Sequence, residues 1–335
     1  MNITTFSPEQ SAGQRLMVGF DGIELNAELK FLIDTLKVGG IILFARNLID
    51  PEQIKNLCFS MQSYARSCDQ PPLLIAIDQE GGQVARLKEP FTQFPGNSKM
   101  KGPEDAVYFA KTTAKELLEV GVNMNMAPVL DVALEGINSV MAERAFGPDP
   151  GWVSEQGKVV IEHLQAENIM AVAKHFPGIG RTVLDSHFEL PDLDIDVDAM
   201  QEFDLFPFKT AISHDVAGIM LSHIRYTGID PDWPASLSKT IVDDLLRKEM
   251  GYDGVVMTDD LDMGAIAKHY DLKTAIQQIL SADIDMTLIC HAGPNIENAF
   301  KEILDVQRRS ESMKAKGMKS LKRIMRLKLK YLKAK

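Results

Sequence analysis

Eight short apolar segments alternate with amphipathic, helix-like segments from one end of the chain to the other. Because parallel strands must be joined by crossover connections, this alternation predicts a parallel sheet covered by helices. Eight such units in a chain of 335 residues favour a single α/β domain of the (β/α)8 TIM-barrel type over an open sheet, and no glycine-rich dinucleotide motif follows an early strand. The predicted strands span residues 16–20, 40–44, 73–77, 122–130, 169–173, 217–221, 254–257 and 285–289. The predicted helices span residues 26–37, 51–66, 103–120, 153–167, 198–213, 239–250, 263–281 and 295–306.

The chain ends in a strongly basic segment. Residues 308–335 contain 12 Lys and Arg against the single acid Glu311, so this segment carries +11 and the rest of the chain about −22. Its apolar residues recur at close to helical spacing, which predicts an amphipathic helix. We therefore expect a barrel domain over residues 1–307 and a basic C-terminal helix over residues 308–335. The apolar side of this helix is expected to dock on the acidic barrel, with an anionic membrane surface as the alternative. The apolar positions are Met318, Leu321, Met325, Leu329 and Leu332.

The composition of the chain indicates its cellular location and which classes of partner are expected. With 45% hydrophobic and 25% charged residues, the chain has the composition of a soluble globular protein. The N-terminus lacks the basic and apolar regions of a secretory signal, and three scattered cysteines suit reduced thiols, so a cytoplasmic location is expected. The acidic body argues against a nucleic-acid partner, no segment predicts membrane insertion, and a monomer is favoured.

Polar side chains stand where the predicted strands end. In a (β/α)8 barrel the active site lies at the carboxyl ends of the strands, so these side chains are expected to surround one pocket. Two long connections, residues 80–102 and 131–150, fall at the same end and are expected to form its walls. The polar residues are Asp21, Arg46, Asp78, Glu80, Asp131, Lys174, His175, Ser222, His223, Asp259, Asp260, Cys290 and His291.

Residues 173–191 hold an unusual density of titratable side chains after the fifth predicted strand. Pro177, Gly178 and Gly180 interrupt helix and strand alike. The sequence therefore predicts that the polar residues of this stretch, Lys174 and His175 included, sit on a loop at the carboxyl end of the strand.

Asp185 lies two residues before His187, near enough on an extended turn to accept a hydrogen bond from Nδ1 of the imidazole. A carboxylate in this position fixes the tautomer of a catalytic histidine, so the pair predicts an acid/base dyad. Two alternatives remain open. Asp185 and His187 could merely pin the loop, or they could bind a metal ion together with His175. The metal site lacks the close pairing of ligands that would support it strongly, so the dyad is the favoured interpretation and the metal site the least favoured.

Asp259 comes just after the seventh predicted strand and is expected to point into the pocket, whereas strand alternation turns Asp260 away from it. Asp260 or Asp262 could cap the next helix, and capping is also the alternative role for Asp259. The functional role is favoured for Asp259 because of where the strand places it. A carboxylate nucleophile facing a proton donor suits cleavage of a glycosidic bond through a covalent intermediate. Charged side chains near the pocket can bind vicinal hydroxyl groups through charge-assisted hydrogen bonds. The candidates for that role are Asp78, Arg86, Arg144, Lys174 and His175.

Taken together, these motifs resemble glycoside hydrolase family 3, and within it the NagZ-type β-N-acetylglucosaminidases (β-hexosaminidases). The resemblance rests on several motifs in the right order over most of the predicted barrel. They are residues 77–86 (IDQEGGQVAR), 127–132 (APVLDV), 144–147 (RAFG), 174–178 (KHFPG), 185–187 (DSH) and 258–261 (TDDL). One departure is Ile179, because the family usually has a histidine in this turn.

The resemblance implies an enzyme that removes a terminal β-linked N-acetylglucosamine with retention of configuration. By similarity, Asp259 is the nucleophile, and His187, oriented by Asp185, is the general acid and then the general base. The sugar would be bound by Asp78, Arg86, Arg144, Lys174 and His175. The implied substrate is a cell-wall muropeptide, released during peptidoglycan recycling in the cytoplasm, and no cofactor is implied. Three alternatives stay open: another exo-β-glycosidase, a β-glycoside phosphorylase that uses the same residues, and a non-catalytic sugar-binding barrel.

Overall fold

A computed structural model describes residues 6–332 of the chain. Eight parallel strands close into a barrel, and this confirms the predicted fold. Each strand pairs with its neighbours in chain order, and the first pairs with the eighth, where Leu16 aligns with Thr287. The strands are β1 (Leu16–Val18), β2 (Gly40–Leu43), β3 (Leu74–Ile77), β4 (Met124–Asn125), β5 (Met170–Phe176), β6 (Gly218–Leu221), β7 (Val255–Asp260) and β8 (Met286–Ile289).

Burial of the strands explains why the sequence pattern was so clear. Every residue of the eight barrel strands is buried except Asp259, which is half-buried. Strands covered on both faces are selected for continuous apolar runs rather than for alternation. The exposure of Asp259 therefore marks the place where the barrel interior opens to a pocket.

Helices surround the barrel, and short elements lie in the connections. The helices are α1 (Pro8–Gly13), α2 (Ala27–Asp34), α3 (Pro51–Ser67), α4 (Pro103–Glu119), α5 (Pro150–Ala166), α6 (Val197–Met200), α7 (Phe206–Ser213), a π-type helix (Thr240–Glu249), α8 (Gly264–Ala267), α9 (Leu272–Ser281), α10 (Pro294–Arg309) and α11 (Glu311–Tyr331). Short 3-10 helices cover Ala45–Asn47, Asn97–Lys99 and Ala235–Leu237. Two short strand pairs join Gln79–Gly81 to Val84–Ala85 and Asp192–Leu193 to Arg225–Tyr226.

Two predicted helices are each divided in the structure. The helix predicted over residues 198–213 is split into α6 and α7, and Pro207 stands in the first turn of α7, where its missing N–H costs nothing. The helix predicted over residues 263–281 is split into α8 and α9, because Asp271 caps a new helix by accepting a hydrogen bond from the backbone N–H of Thr274. Helix α1 was not predicted.

The placement of Lys174 and His175 on a loop is wrong. Both residues belong to β5, which continues to Phe176, and both are buried. Their polar groups are satisfied by acids from other parts of the barrel rim, Asp78, Glu80 and Asp131, so the strand can extend through them. The strand predicted over residues 122–130 is shorter than expected and covers only Met124–Asn125. Pro128 has no N–H with which to donate a hydrogen bond to a neighbouring strand.

Helix α11 covers the end of the barrel at which the strands begin. Ile324 and Leu327 pack into the same apolar cluster as the side chains of the barrel interior, including Met257 and Met286. The helix therefore closes the barrel opposite the carboxyl ends of the strands. The expected docking of its apolar side is observed, but the buried face differs in detail, because Leu329 is 48% exposed.

Ion pairs fix α11 to the same surface. Arg323 contacts Asp283 at 2.9 Å, Asp285 at 3.2 Å and Asp253 at 2.9 Å, all three in segments that precede strands. Lys328 is buried and donates to Gln14 Oε1 at 2.6 Å. The division of the chain at residue 308 stays a prediction. Among residues 6–332, no helix is both long enough and apolar enough to cross a membrane.

Candidate active site

A pocket of about 320 Å³ opens at the carboxyl ends of the barrel strands. Seven of the eight residues proposed for the site line it, and the eighth, Asp185, lines an adjoining cavity of about 340 Å³ that shares His187 and Asp259 with the first. The long connections contribute Val84, Arg86 and Arg144 to the walls, as expected. The seven residues are Asp78, Arg86, Arg144, Lys174, His175, His187 and Asp259.

Asp78 anchors one side of the pocket. Its carboxylate accepts from Lys174 Nζ at 2.9 Å and from the Arg86 guanidinium at 3.1 Å. Burial raises the pKa of Asp78, but the charges of Lys174 and Arg86 outweigh it and hold the pKa well below its usual range. Asp78 is therefore ionised and presents oxygen acceptors to the pocket at neutral pH.

Glu80 is the residue whose importance the sequence interpretation understated. The sequence indicates only that it is one of the polar residues where the strands end. Its side chain is 1% exposed and pairs with Arg144 through both oxygens, at 2.7 and 3.0 Å, and with Lys174 Nζ at 2.7 Å. Burial raises the pKa of Glu80, whereas Lys174 and Arg144 lower it, with a net decrease. Glu80 thus fixes two of the cations proposed to bind substrate.

The imidazole of His175 is held between Asp131 and Arg144. Nδ1 lies 2.7 Å from Asp131 Oδ2, and Nε2 lies 3.4 Å from the Arg144 guanidinium. Because a carboxylate only accepts, Nδ1 carries the proton, and Nε2 is left as an acceptor. Asp131, which is fully buried, also accepts from the backbone N–H of Ile179 at 2.8 Å. Because Ile179 makes this contact through its backbone N–H, the contact does not depend on which side chain stands at position 179.

Asp259 faces the centre of the same pocket. Burial raises its pKa, but the imidazoles of His223 and His175 lower it, and the net shift is downward. The backbone N–H of Asp260, which donates to Asp259 Oδ1 at 2.8 Å, and the charge of Lys174 act in the same direction. Asp259 is therefore a carboxylate at neutral pH, as a nucleophile must be.

His223 was named only as a polar strand end, yet it supports the strand that carries Asp259. Its Nε2 lies 2.8 Å from the carbonyl oxygen of Asp260, and its Nδ1 lies 2.7 Å from Ser236 Oγ. Burial lowers the pKa of His223. Nε2 carries a proton in this contact, since a carbonyl only accepts, and Ser236 Oγ can either donate to Nδ1 or accept from it.

Helix capping by Asp260 or Asp262 is not observed. The N-terminal residue of α8 is preceded by Met263, which offers no side-chain cap, and Asp260 instead accepts from the backbone N–H groups of Asp262 and Cys290. Asp260 also lines the pocket, because the register of β7 against β8 shifts between Met257 and Asp260 and breaks the alternation. Burial raises the pKa of Asp260 to about 6.

Asp185 and His187 form the expected contact. Asp185 Oδ1 lies 2.7 Å from His187 Nδ1 and accepts the His187 backbone N–H at 2.9 Å. Burial raises the pKa of Asp185, but the two hydrogen bonds from His187 and the charge of its imidazole together lower it, and the net shift is downward. Since ionised Asp185 can only accept, Nδ1 carries a proton and Nε2 is the atom available for proton transfer.

The metal alternative finds no support in this arrangement. His175 pairs with Asp131 rather than with Asp185, so His175, Asp185 and His187 do not come together as ligands. Among the residues that the structure describes, three ligand atoms lie within 4.8 Å of one another only at Asp260, Asp262 and His291. There His291 Nδ1 lies 3.6 and 3.5 Å from the two carboxylates, which is the spacing of a loose ion pair.

Comparison with known proteins decides the family. The glycosyl hydrolase family 3 N terminal domain matches residues 9–327. The chain belongs to glycosyl hydrolase family 3. A β-hexosaminidase from Alkalilimnicola ehrlichii is 37% identical over 299 residues, which cover 87% of this chain and 84% of that protein. β-Hexosaminidase A from Pseudoalteromonas piscicida is 36% identical over 332 residues, and this family 3 chain spans 56% of its length.

Solved structures agree with this family assignment. A family 3 β-N-acetylglucosaminidase from Paenibacillus sp. superposes with a TM-score of 0.94 at 36% identity, over 98% of this chain and 63% of that one. A β-N-acetylhexosaminidase from Beutenbergia cavernae superposes with a TM-score of 0.88 at 28% identity, over 96% of this chain and 98% of that one. The resemblance drawn from the sequence motifs is confirmed, and the family 3 chain is a glycoside hydrolase.

Proposed function

We propose that the chain is a retaining exo-β-N-acetylglucosaminidase with Asp259 as nucleophile and His187 as acid/base. The observation that carries the proposal is the shared pocket, which an ionised Asp259 and the His187 imidazole both line. A nucleophilic carboxylate and a proton donor on either side of one sugar are the requirements of a double displacement. The names of the relatives, β-hexosaminidase and β-N-acetylglucosaminidase, support the acetamido sugar as the substrate.

In the first step, Asp259 attacks the anomeric carbon and the bond from that carbon to the leaving-group oxygen breaks. His187 donates the proton on Nε2 to the departing oxygen. Ionised Asp185, 2.7 Å from Nδ1, stabilises the imidazolium that must exist before this transfer. The products of the step are a glycosyl ester of Asp259 and the free aglycone.

In the second step, the neutral imidazole of His187 accepts a proton from water as the water attacks the anomeric carbon. The ester bond to Asp259 breaks, and the sugar leaves with its original configuration after two inversions. The same nitrogen, Nε2, therefore acts first as acid and then as base.

The sugar hydroxyls would be bound by the charged network around Asp78. Its carboxylate can accept from one hydroxyl while Lys174 and Arg86 donate to others, because charge-assisted hydrogen bonds select groups that can pair with them. His175 and Arg144 would complete this set. The partners already present, Glu80 and Asp131, keep these donors in fixed positions before substrate arrives.

For the aglycone we propose a cell-wall muropeptide, cleaved in the cytoplasm during peptidoglycan recycling by a monomeric enzyme. The support is the resemblance to the NagZ-type branch. This part of the proposal is tested separately, by incubating purified muropeptides with the enzyme and identifying the released sugar.

The experiment for the main proposal measures p-nitrophenol release from the β-N-acetylglucosaminide and from the β-glucoside, with wild type and His187→Ala. We expect turnover of the acetamido sugar and a lower kcat/KM in the variant. Turnover of the glucoside instead would indicate a broader exo-β-glycosidase. A sugar 1-phosphate product that requires phosphate would indicate a phosphorylase, and tight binding of N-acetylglucosamine without turnover of either substrate would indicate a sugar-binding barrel.

A further inference from the structure

Hydrogen bonds attach the loop that carries the acid/base dyad to a single segment of the chain. We define the dyad loop as residues 185–189 and the latch as residues 264–268, which comprise α8 and the residue after it. Within residues 6–332, every hydrogen bond that joins the dyad loop to another part of the chain ends on the latch. The position of the dyad therefore depends on these few contacts.

Three latch residues make the contacts, and together they bind the carbonyl groups of three consecutive loop residues. The N–H of Gly264 donates to the carbonyl of His187 at 3.0 Å, and the N–H of Ala265 donates to the carbonyl of Ser186 at 3.1 Å. Lys268 Nζ donates to the carbonyl of Phe188 at 2.7 Å. The same ammonium group lies 3.0 Å from the Glu189 carboxylate, so it ties two consecutive loop residues.

Gly264 allows the two backbones to approach this closely. A Cβ atom at this position would lie 2.6 Å from the carbonyl oxygen of Phe188 and 2.8 Å from that of His187. Both distances are shorter than nonbonded carbon and oxygen atoms tolerate. A side chain at position 264 would therefore push the loop, and the imidazole with it, away from the latch.

Apolar burial does not hold the loop in place. Phe188 is 66% exposed, and Leu184, just before the loop, is 52% exposed. The side chains of Asp185 and His187 are 47% and 61% exposed. Because the hydrophobic effect contributes little to fixing an exposed segment, directed hydrogen bonds determine where it lies.

The latch also connects the two halves of the proposed chemistry. It follows β7 directly, and Asp259 lies near the end of β7, five positions before Gly264 in the sequence. We propose that Gly264 and Lys268 are positioning residues that hold His187 Nε2 at a fixed place relative to the Asp259 carboxylate. The proposal rests on the proposed function, since it assigns the latch to the acid/base step of that reaction.

A positioning role predicts a specific kinetic signature. Cleavage of a glycoside with a very acidic leaving group needs no proton donor, whereas departure of a sugar hydroxyl does. Displacement of His187 should therefore impair kcat/KM for a disaccharide and leave kcat/KM for an aryl glycoside with an acidic phenol nearly unchanged. A general loss of structure would impair both alike.

The experiment compares N,N′-diacetylchitobiose with the dinitrophenyl β-N-acetylglucosaminide, using wild type, Lys268→Ala, Lys268→Arg and Gly264→Ala. General acid catalysis contributes roughly 10²- to 10⁴-fold, so we expect Lys268→Ala to lose about tenfold and Gly264→Ala about 100-fold in kcat/KM on the disaccharide. On the dinitrophenyl substrate both should stay within about twofold of wild type. Lys268→Arg, which keeps a donor, should recover most of the loss. Lys273→Ala, an exposed lysine on α9 with no loop contact, is the matched control.

The outcomes distinguish a failure of the latch proposal from a failure of the proposed function. If His187→Ala shows the leaving-group signature but Lys268→Ala and Gly264→Ala behave like Lys273→Ala, the latch proposal is wrong and the function stands. Equal losses on the two substrates would also overturn it, because they would indicate a structural role. If wild type cleaves neither substrate, or His187→Ala lacks the signature, the proposed function fails and the latch proposal with it. Since Lys268 is exposed, its variants test the proposal even if Gly264→Ala does not fold.

Discussion

One oxygen of Asp185 serves two donors of His187, the backbone N–H at 2.9 Å and the imidazole Nδ1 at 2.7 Å. The first contact fixes the turn and the second fixes the ring. Asp185 therefore determines both where the imidazole lies and which of its nitrogens carries the proton, and this is the requirement for a histidine that acts as acid and then as base.

Asp185→Asn should reduce general acid catalysis while leaving the fold intact. An amide can still accept from the backbone N–H, but it carries no charge to stabilise the imidazolium. We expect kcat/KM on a disaccharide to fall about 100-fold. The control is Asp198→Asn, an exposed acid in α6. A wild-type rate for Asp185→Asn would remove Asp185 from the mechanism.

Glu80→Gln should destabilise the protein, because two buried cations would lose their shared partner. Breaking a buried ion pair costs roughly 3–5 kcal/mol, and Glu80 contacts both Arg144 and Lys174. The folded-state pKa of Glu80 is lowered, so its contribution is present above the unfolded pKa and is lost as pH falls through the folded value. In urea unfolding, the free energy of unfolding of Glu80→Gln should be lower than that of the wild type at pH 7. This difference should become smaller under acid conditions. The control is Glu143→Gln, since Glu143 is exposed and precedes Arg144 in the sequence; its free energy of unfolding should equal that of the wild type.

Lys328→Met should change how stability depends on pH. Burial lowers the pKa of Lys328 to about 7, whereas an unfolded lysine titrates near pH 10. Between these values the unfolded chain binds more protons, so the free energy of unfolding of the wild type rises with pH by up to about 1.4 kcal/mol per pH unit. Methionine does not titrate, so Lys328→Met should lack this increase with pH. The urea midpoints of the wild type and of Lys328→Met, measured at pH 7, 8 and 9, test this prediction. The same change of midpoint with pH in both proteins would contradict it.

Ile324→Ala tests whether α11 is part of the folded barrel. Ile324 is fully buried in the cluster of the barrel interior, and truncation of such a side chain costs about 2–5 kcal/mol. Leu329→Ala, on the exposed side of the same helix, should stay within about 0.5 kcal/mol of wild type. Equal effects of the two substitutions in thermal unfolding would mean that the helix does not depend on this contact.

The barrel could be predicted because the sequences of buried parallel strands are continuous runs of apolar residues. All eight were found, and Asp259 was placed correctly at the end of β7. Lys174 and His175 were misplaced, since charged residues at the end of an apolar run indicate a loop unless their partners are known. Those partners, Asp78 and Asp131, lie on other units of the chain, and no local pattern joins them.

Contacts that depend on packing were beyond a single sequence. Leu329 fits the helical spacing of α11 but faces solvent, while Lys328 is buried in its place. The spacing could not separate these neighbours, because which side of a helix docks is decided by the surface it meets. The attachment of Gly264 to the carbonyl of His187 likewise joins two units whose loops meet only in the folded barrel.

As the proposed nucleophile, Asp259 must form a covalent bond with the sugar. The most direct test of this bond is mass spectrometry of peptides after incubation with a fluorinated N-acetylglucosaminyl donor, which slows hydrolysis of the ester so that the intermediate accumulates. We expect the peptide containing Asp259 to gain the mass of the fluorinated sugar, and the same peptide of Asp259→Ala to gain none. A sugar attached to another residue, or an active enzyme that accumulates no adduct, would contradict this role of Asp259.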